Sequence, residues 1–154
     1  PGVALFLSTH TNKVDRKGRV SVPATFRAAL ADQSYAGIVL FPNINSRALE
    51  GSGMDRMEDL NRRLEALPEF SEERDALSAI FADTQQLPFD GEGRILLPPE
   101  FCEHAGIVLE GGATFVGNGA TFQIWEPGRF AQHQQERRAK ARGKTIPPSL
   151  GTAK

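Results

Sequence analysis

Asp15, Gly18 and Arg19 in DRKGR, and Asp90, Gly93 and Arg94 in DGEGR, are the residues whose types and spacing could do chemistry in this chain. A carboxylate and a guanidinium four positions apart across a glycine-bearing turn can face one another in a charge-assisted hydrogen bond. One reading of the pair is structural, with the aspartate fixing the turn. The other is recognition, because an arginine held in place presents its donors to a phosphate or a guanine edge. Spacing alone leaves both open for Arg19 and Arg94.

Charge separates the two copies. From Lys13 to Arg27, the cations Lys13, Arg16, Lys17, Arg19 and Arg27 stand against Asp15 alone, a net of +4. The matching window, Pro88 to Cys102, sets Arg94 against Asp90, Glu92 and Glu100, a net of -2. A scaffold kept twice with opposite charge predicts that the first copy alone meets a polyanion, and nucleic acid is the polyanion expected.

Other chemistry finds little support. His10, His104 and His133 are scattered without the paired spacing of a zinc site, and one cysteine cannot complete such a site. Cys102 has Glu103 and His104 beside it, but neighbours in a helix point in different directions, so it reads as a buried thiol. GGATFVGNG lacks the strand, G-x-G-x-x-G and helix order of a dinucleotide site and reads as hairpin turns. Trp125 and the phenylalanines of FAD, TFV, TFQ and GRF lie in strand or helix text, which predicts core packing over base stacking. The expectation is a protein with no metal, no cofactor and no enzymatic activity.

These residues need elements to position them. The 154 residues suit one compact domain or two intertwined halves, and a net charge of -1 places any anionic partner on local charge. A single cysteine fits a reducing compartment, and the short apolar opening VALFL predicts a first strand in place of a leader or a membrane span. Aligned with itself at an offset of 75, the chain pairs Phe6 with Phe81, Asp15 with Asp90, Gly18 with Gly93, Arg19 with Arg94, Pro23 with Pro98 and Phe26 with Phe101. That is an internal duplication.

Each unit reads as strand (LFLSTHTNKV, AIFADTQQLPF), turn, strand (RVSVP, RILLP) and short helix (ATFRAAL, PEFCEHA), the second helix closed by Gly106. Strands around IVLF, TFVGN and TFQIW follow. Between the units, Met54, Met57, Leu60 and Leu64 recur at helical spacing, Pro68 interrupts, and Ser71 restarts a second helix carrying Leu77 and Ile80. A further helix is expected after Pro127. Glu50 to Asp75 carries a net of -5, which removes it as a DNA face and leaves it for solvent or subunit contacts. Residues 129–154 hold seven cations against Glu136, so a solvated basic end and an auxiliary DNA contact are both open. The expected organisation is a first unit at 4–50, a helical hairpin at 51–78, a second unit with its helix at 79–142, and a disordered tail at 143–154.

The two D-x-x-x-R motifs, each followed by a strand, proline and short helix, and separated by a helical hairpin before a late FQIW, resemble the MraZ family of bacterial transcriptional regulators. The resemblance covers roughly residues 5 to 140. It implies an α+β, mostly β fold: a pseudo-symmetric double-unit swapped-hairpin β-barrel like that of AbrB, with peripheral helices. It also implies a ring-shaped homo-oligomer, an octamer, that is cytoplasmic and nucleoid-associated. Such a ring binds short direct repeats of DNA before the division and cell-wall gene cluster, repressing it and its own promoter. By position, Arg19 is the arginine implied to matter most for DNA, with Lys13, Arg16, Lys17 and Arg27 around it. Asp15, Gly18, Asp90, Gly93 and Arg94 are the motif residues that shape the turns. Two rival readings are a protein-interaction, antitoxin-like module on the same barrel and an enzyme with a cryptic site.

Overall fold

The computed structural model describes residues 5–142, so the expected disordered tail at 143–154 lies outside the described residues. The first half runs β1 (Thr9–Lys13), β2 (Arg19–Ser21), α1 (Ala24–Ala29), β3 (Gly37–Pro42), β4 (Leu49–Ser52) and α2 (Met54–Ala66). After α3 (Glu72–Asp83) the order repeats as β5 (Gln85–Pro88), β6 (Arg94–Leu96), α4 (Pro99–Ala105), β7 (Gly112–Gly117), β8 (Phe122–Trp125) and α5 (Pro127–Ala141). Only α3 has no counterpart among these elements.

Six strands form one antiparallel sheet in the order β1, β7, β8, β4, β3, β5, while β2 and β6 form a separate two-stranded ribbon. Exchanging the halves leaves the sheet order unchanged, as a pseudo-twofold through β8 and β4 requires. Neither half is a self-contained sheet: β1 pairs with β7, β5 with β3, and β2 with β6. Among the described residues the large sheet stays open, with β1 and β5 as its edges. The fold is α+β, but the expectation of a mostly β chain is corrected, since the helices hold more residues than the strands. The strands are only three to six residues long, whereas α2, α3 and α5 each run for twelve or more.

Three local readings also change. β1 starts at Thr9, because Ser8 at φ 74° turns the chain and Phe6 makes only an isolated bridge to Gly119. Ala79 to Asp83 is helical and β5 begins at Gln85, with Thr84 Oγ1 donating to the Ile80 carbonyl at 2.7 Å as the helix ends. β4 was not expected from LEGS at all. Gly51 is there because a Cβ would lie 2.3 Å from the Phe122 ring, so the position that looks poorest for a strand is the one that lets β4 and β8 close up.

The core lies beneath the ribbon and α1, on the inner face of the sheet. Val20 and Ile95 point inward from the ribbon, while Ser21 and Leu96 are exposed and Arg19 and Arg94 are both half-buried. Phe6, Phe26, Phe115 and Phe122 pack ring against ring, with centroids 5.0 to 6.3 Å apart. Each such side chain contributes about 1.5–3 kcal/mol by leaving water. Pro23 and Pro98 stand just before α1 and α4, where their missing N–H costs nothing, and Gly106 closes α4 at φ 75° as expected. Ser71 caps α3 as expected, its hydroxyl accepting from the Arg74 N–H at 3.1 Å.

Candidate nucleic-acid interface

The two D-x-x-G-R segments fold into the same turn. In the first, Asp15 Oδ1 accepts from the backbone N–H groups of Lys17 and Arg19, both at 2.9 Å, and Oδ2 accepts from Arg19 Nε at 2.7 Å. The Gly18 N–H closes the turn on the Asp15 carbonyl at 3.1 Å, with φ 92°. In the second, Asp90 Oδ1 accepts from Glu92 and Arg94 N–H at 2.8 and 3.0 Å, and Oδ2 from Arg94 Nε at 2.8 Å. Gly93, at φ 77°, repeats the role of Gly18. A short side chain reaching back to its own backbone explains why the motif requires Asp, and the positive φ explains the glycine.

These bonds favour the ionised carboxylates. The Asp15 pKa falls to about 2 from an ordinary 3.8, chiefly through the Arg19 backbone N–H, then through the Arg19 side chain and the Lys17 N–H. Asp90 is lowered for the same reason, led by the Arg94 N–H. Arg94 is pushed up, first by its bond to Asp90, with smaller contributions from Glu92 and from Asp15 across the ribbon.

In both turns the arginine spends Nε on the aspartate. Among the described residues the Arg19 terminal amines make no side-chain bond, whereas Nη2 of Arg94 lies 3.7 Å from Glu92. Around Arg19, Lys13, Arg16 and Lys17 are exposed, and the nearest acid to Arg16 is Glu110, at a loose 4.0 Å. The structure therefore brings together Lys13, Arg16, Lys17 and Arg19.

Arg27 is elsewhere. Its Nε donates to the Val22 carbonyl at 3.1 Å, and its guanidinium lies over Gly93, where an added Cβ would come within 2.7 Å of Nε. Because β2 and β6 are antiparallel, that position is the other end of the ribbon, beside the second turn. Sequence proximity suggested a cluster that the fold divides. The ribbon also supplies a residue that charge counting passed over: Leu96, directly opposite Arg19, is 56% exposed and covers Gly18. Its signal was the alternation in RILLP, which turns Leu96 outward and Ile95 inward.

The remaining candidates fall into place as packing. Phe115, Phe122 and Trp125 are buried, while Phe81 and Phe130 are half-buried. Trp125 stacks on His133 at 4.4 Å and donates from Nε1 to Gln123 at 2.8 Å. Cys102 is half-buried at the end of a small cleft, and burial pushes its thiol up. Among the described residues no group of histidines, cysteines and carboxylates is placed to hold a metal, and no helix is long and apolar enough to cross a membrane.

The fold and the turns define a duplicated, strand-exchanged α+β protein that presents one basic and one acidic copy of a single arginine turn. The family model for MraZ protein, described as antitoxin-like, matches residues 80–145. The chain is 45% identical to the transcriptional regulator MraZ of Rickettsia akari (strain Hartford) over 84% of its length and 86% of the relative's. It is 43% identical to the transcriptional regulator MraZ of Pelagibacter ubique (strain HTCC1062), over 89% and 88% of the two chains. The protein belongs to the MraZ family, whose characterised role is transcriptional regulation and not enzymatic catalysis.

Proposed function

We propose that the protein is a sequence-specific DNA-binding repressor of the division and cell-wall gene cluster, its own promoter included, working in the cytoplasm on the nucleoid. The observation that carries the reading is the pair of turns with matching geometry and opposite surroundings. If the motif only closed a hairpin, its first copy would need no flanking Lys13, Arg16 and Lys17 and no unengaged guanidinium end. With them, the first turn suits a polyanion: the cations contact phosphates, and Arg19 reads one or two base edges. The names of the relatives support transcriptional regulation as the setting.

In this reading the two halves close as a swapped-hairpin barrel of the AbrB kind, supported by the exchange of β1 and β5 between halves. The subunits form a ring-shaped homo-oligomer, an octamer, in which each copy offers one basic turn. Ring neighbours are related by rotation, so their turns meet the duplex in the same sense and the target boxes are direct repeats. Returning each turn to the same face of B-DNA requires a spacing of about 10 to 10.5 base pairs or a multiple. Weak single contacts then add by multivalency, and occupied boxes exclude polymerase.

Gel shifts with the chain's own upstream DNA against scrambled DNA test the reading, followed by insertion of about five base pairs between boxes, half a helical turn. Selective binding that loses cooperativity on insertion is expected. Equal binding to both DNAs would favour the antitoxin-like description of the matched family, with the basic turn gripping an acidic protein. A palindromic footprint indifferent to the insertion would remove the ring and its direct repeats.

A further inference from the structure

Leu96 is an apolar side chain held in water on a strand whose counterpart does without one. It is 56% exposed on β6, and the residue that the pseudo-twofold maps onto it, on β2, is the exposed Ser21. The same exchange occurs in the loops after the short helices, where Leu109 is 54% exposed and its counterpart is Ser34. Leu96 and Leu109 border one cleft with Lys17 and Gly18, so this apolar surface gathers at the basic turn. The acidic turn has Ser21 opposite its arginine and closes with the same aspartate bonds, so closure of the ribbon does not require a leucine.

The register fixes which way Leu96 points and how near it stands to Arg19. Residues directly opposite on an antiparallel pair share a face, and Arg19 is opposite Leu96. The Leu97 N–H donates to the Gly18 carbonyl at 2.9 Å, which makes 19 with 96 the narrow, non-bonded pair, its Cα atoms about 4.5 Å apart. One step along a DNA strand is about 3.4 Å. A guanidinium and a leucine so placed therefore reach the same base pair or its neighbour. The major groove admits a two-stranded ribbon, and β2 with β6 is such a ribbon, separate from the main sheet. The apolar group that bases present in that groove is the thymine methyl.

We propose that Leu96 is a specificity-determining residue, packing on the methyl of a thymine within one base step of the base read by Arg19. The DNA site is then composite. The first half supplies the charge and the hydrogen-bond donors, and the second half supplies the apolar contact, because strand exchange carries β6 to the first turn. The inference rests on the DNA reading proposed above and adds a base preference to it.

Fluorescence anisotropy on single-box duplexes from the chain's own upstream DNA tests it, each thymine being replaced in turn by uracil, which removes only the methyl. Burying one such group is worth about fourfold in affinity, so one uracil position should weaken wild-type binding by about that factor. Leu96→Ser copies what the ribbon already carries at Ser21, and thermal melting confirms its fold. It should weaken binding to the thymine box and erase the thymine preference at that one position, as a double-mutant cycle shows, whereas Leu96→Met should keep the preference. A merely structural leucine would leave the thymine-to-uracil ratio unmoved. Equal binding of every uracil box by the wild type, or a preference that survives Leu96→Ser, overturns the assignment. If the natural box is still preferred to scrambled DNA, that failure spares the DNA reading; no preference over scrambled DNA overturns both.

Discussion

Reversing Arg16 and Lys17 together (Arg16→Glu, Lys17→Glu) should flatten the salt dependence of DNA binding by an amount the structure specifies. Charge counting alone would assign five cations to the first turn. Arg27 is bound to Val22 at the far end of the ribbon, and Arg19 is assigned to base edges, so Lys13, Arg16 and Lys17 remain for phosphates. Each phosphate neutralised contributes about 0.9 to the log-log slope, giving about -2.7 for one subunit on one box and about -0.9 for the double variant. Between 50 and 200 mM salt, affinity should then fall about 40-fold for the wild type and about 3.5-fold for the variant. Fluorescence anisotropy on a duplex carrying a single box measures this directly. Arg27→Ala is the control and should leave the slope unchanged. An unchanged slope in the double variant, or a flattened one in the control, would refute the placement of the DNA surface on the first turn.

Arg19→Ala should abolish selectivity for the box while leaving the thermal midpoint close to wild type, since Asp15 keeps its two backbone bonds; Arg94→Ala should affect selectivity less, as binding and melting assays on both would show. The Asp15 carboxyl should titrate near pH 2 by NMR. Because its folded value lies below the ordinary 3.8, its contribution to stability is complete above that pH and is lost as pH falls through about 2; Asp15→Asn should remove that part of the acid transition. Gly51→Ala should destabilise by about 1–3 kcal/mol in urea unfolding, because its Cβ would meet Phe122 at 2.3 Å and Leu40 at 2.9 Å, both fully buried and unable to yield.

What the sequence revealed and what it concealed follow from the range of the interactions involved. The D-x-x-G-R turn is local: one aspartate bonds residues two and four positions on, so its spacing is sufficient to read it, and it was read twice. The alternation in RVSVP and RILLP is local too. β4 was hidden because its glycine answers to Phe122, more than seventy residues away. The extent of the repeat was hidden by a loop. Residues 43–48 join β3 to β4, while 118–121 join β7 to β8, so β4 and β8 begin at 49 and 122, and α2 and α5 at 54 and 127, two short of the offset of 75. Identity at one fixed offset therefore faded where the structural repeat continued. Arg27 lies apart from the residues it neighbours in sequence for a related reason, since an antiparallel ribbon carries the end of β2 to the second turn and not back to the first.

The duplication has diverged in charge in two places, and with opposite sense. At the turns the first half is basic and the second acidic; in the helical layer α2 and α3 are acidic and α5 is basic. A pseudo-twofold that kept both halves alike would give each subunit two equivalent DNA turns and two equivalent helical faces, and such a subunit would form symmetric pairs on palindromic sites. Inverting the turns leaves a single basic turn, the one face suited to a polyanion. Inverting the helices leaves the subunit one acidic and one basic helical face. The backbone can stay symmetric because the core residues Val20 and Ile95, Val22 and Leu97, Phe26 and Phe101 are equivalent and buried, so the divergence is confined to exposed side chains whose charge costs the fold little. Symmetry in the core and antisymmetry in surface charge together turn one duplicated unit into a subunit whose two halves are alike inside and unlike outside.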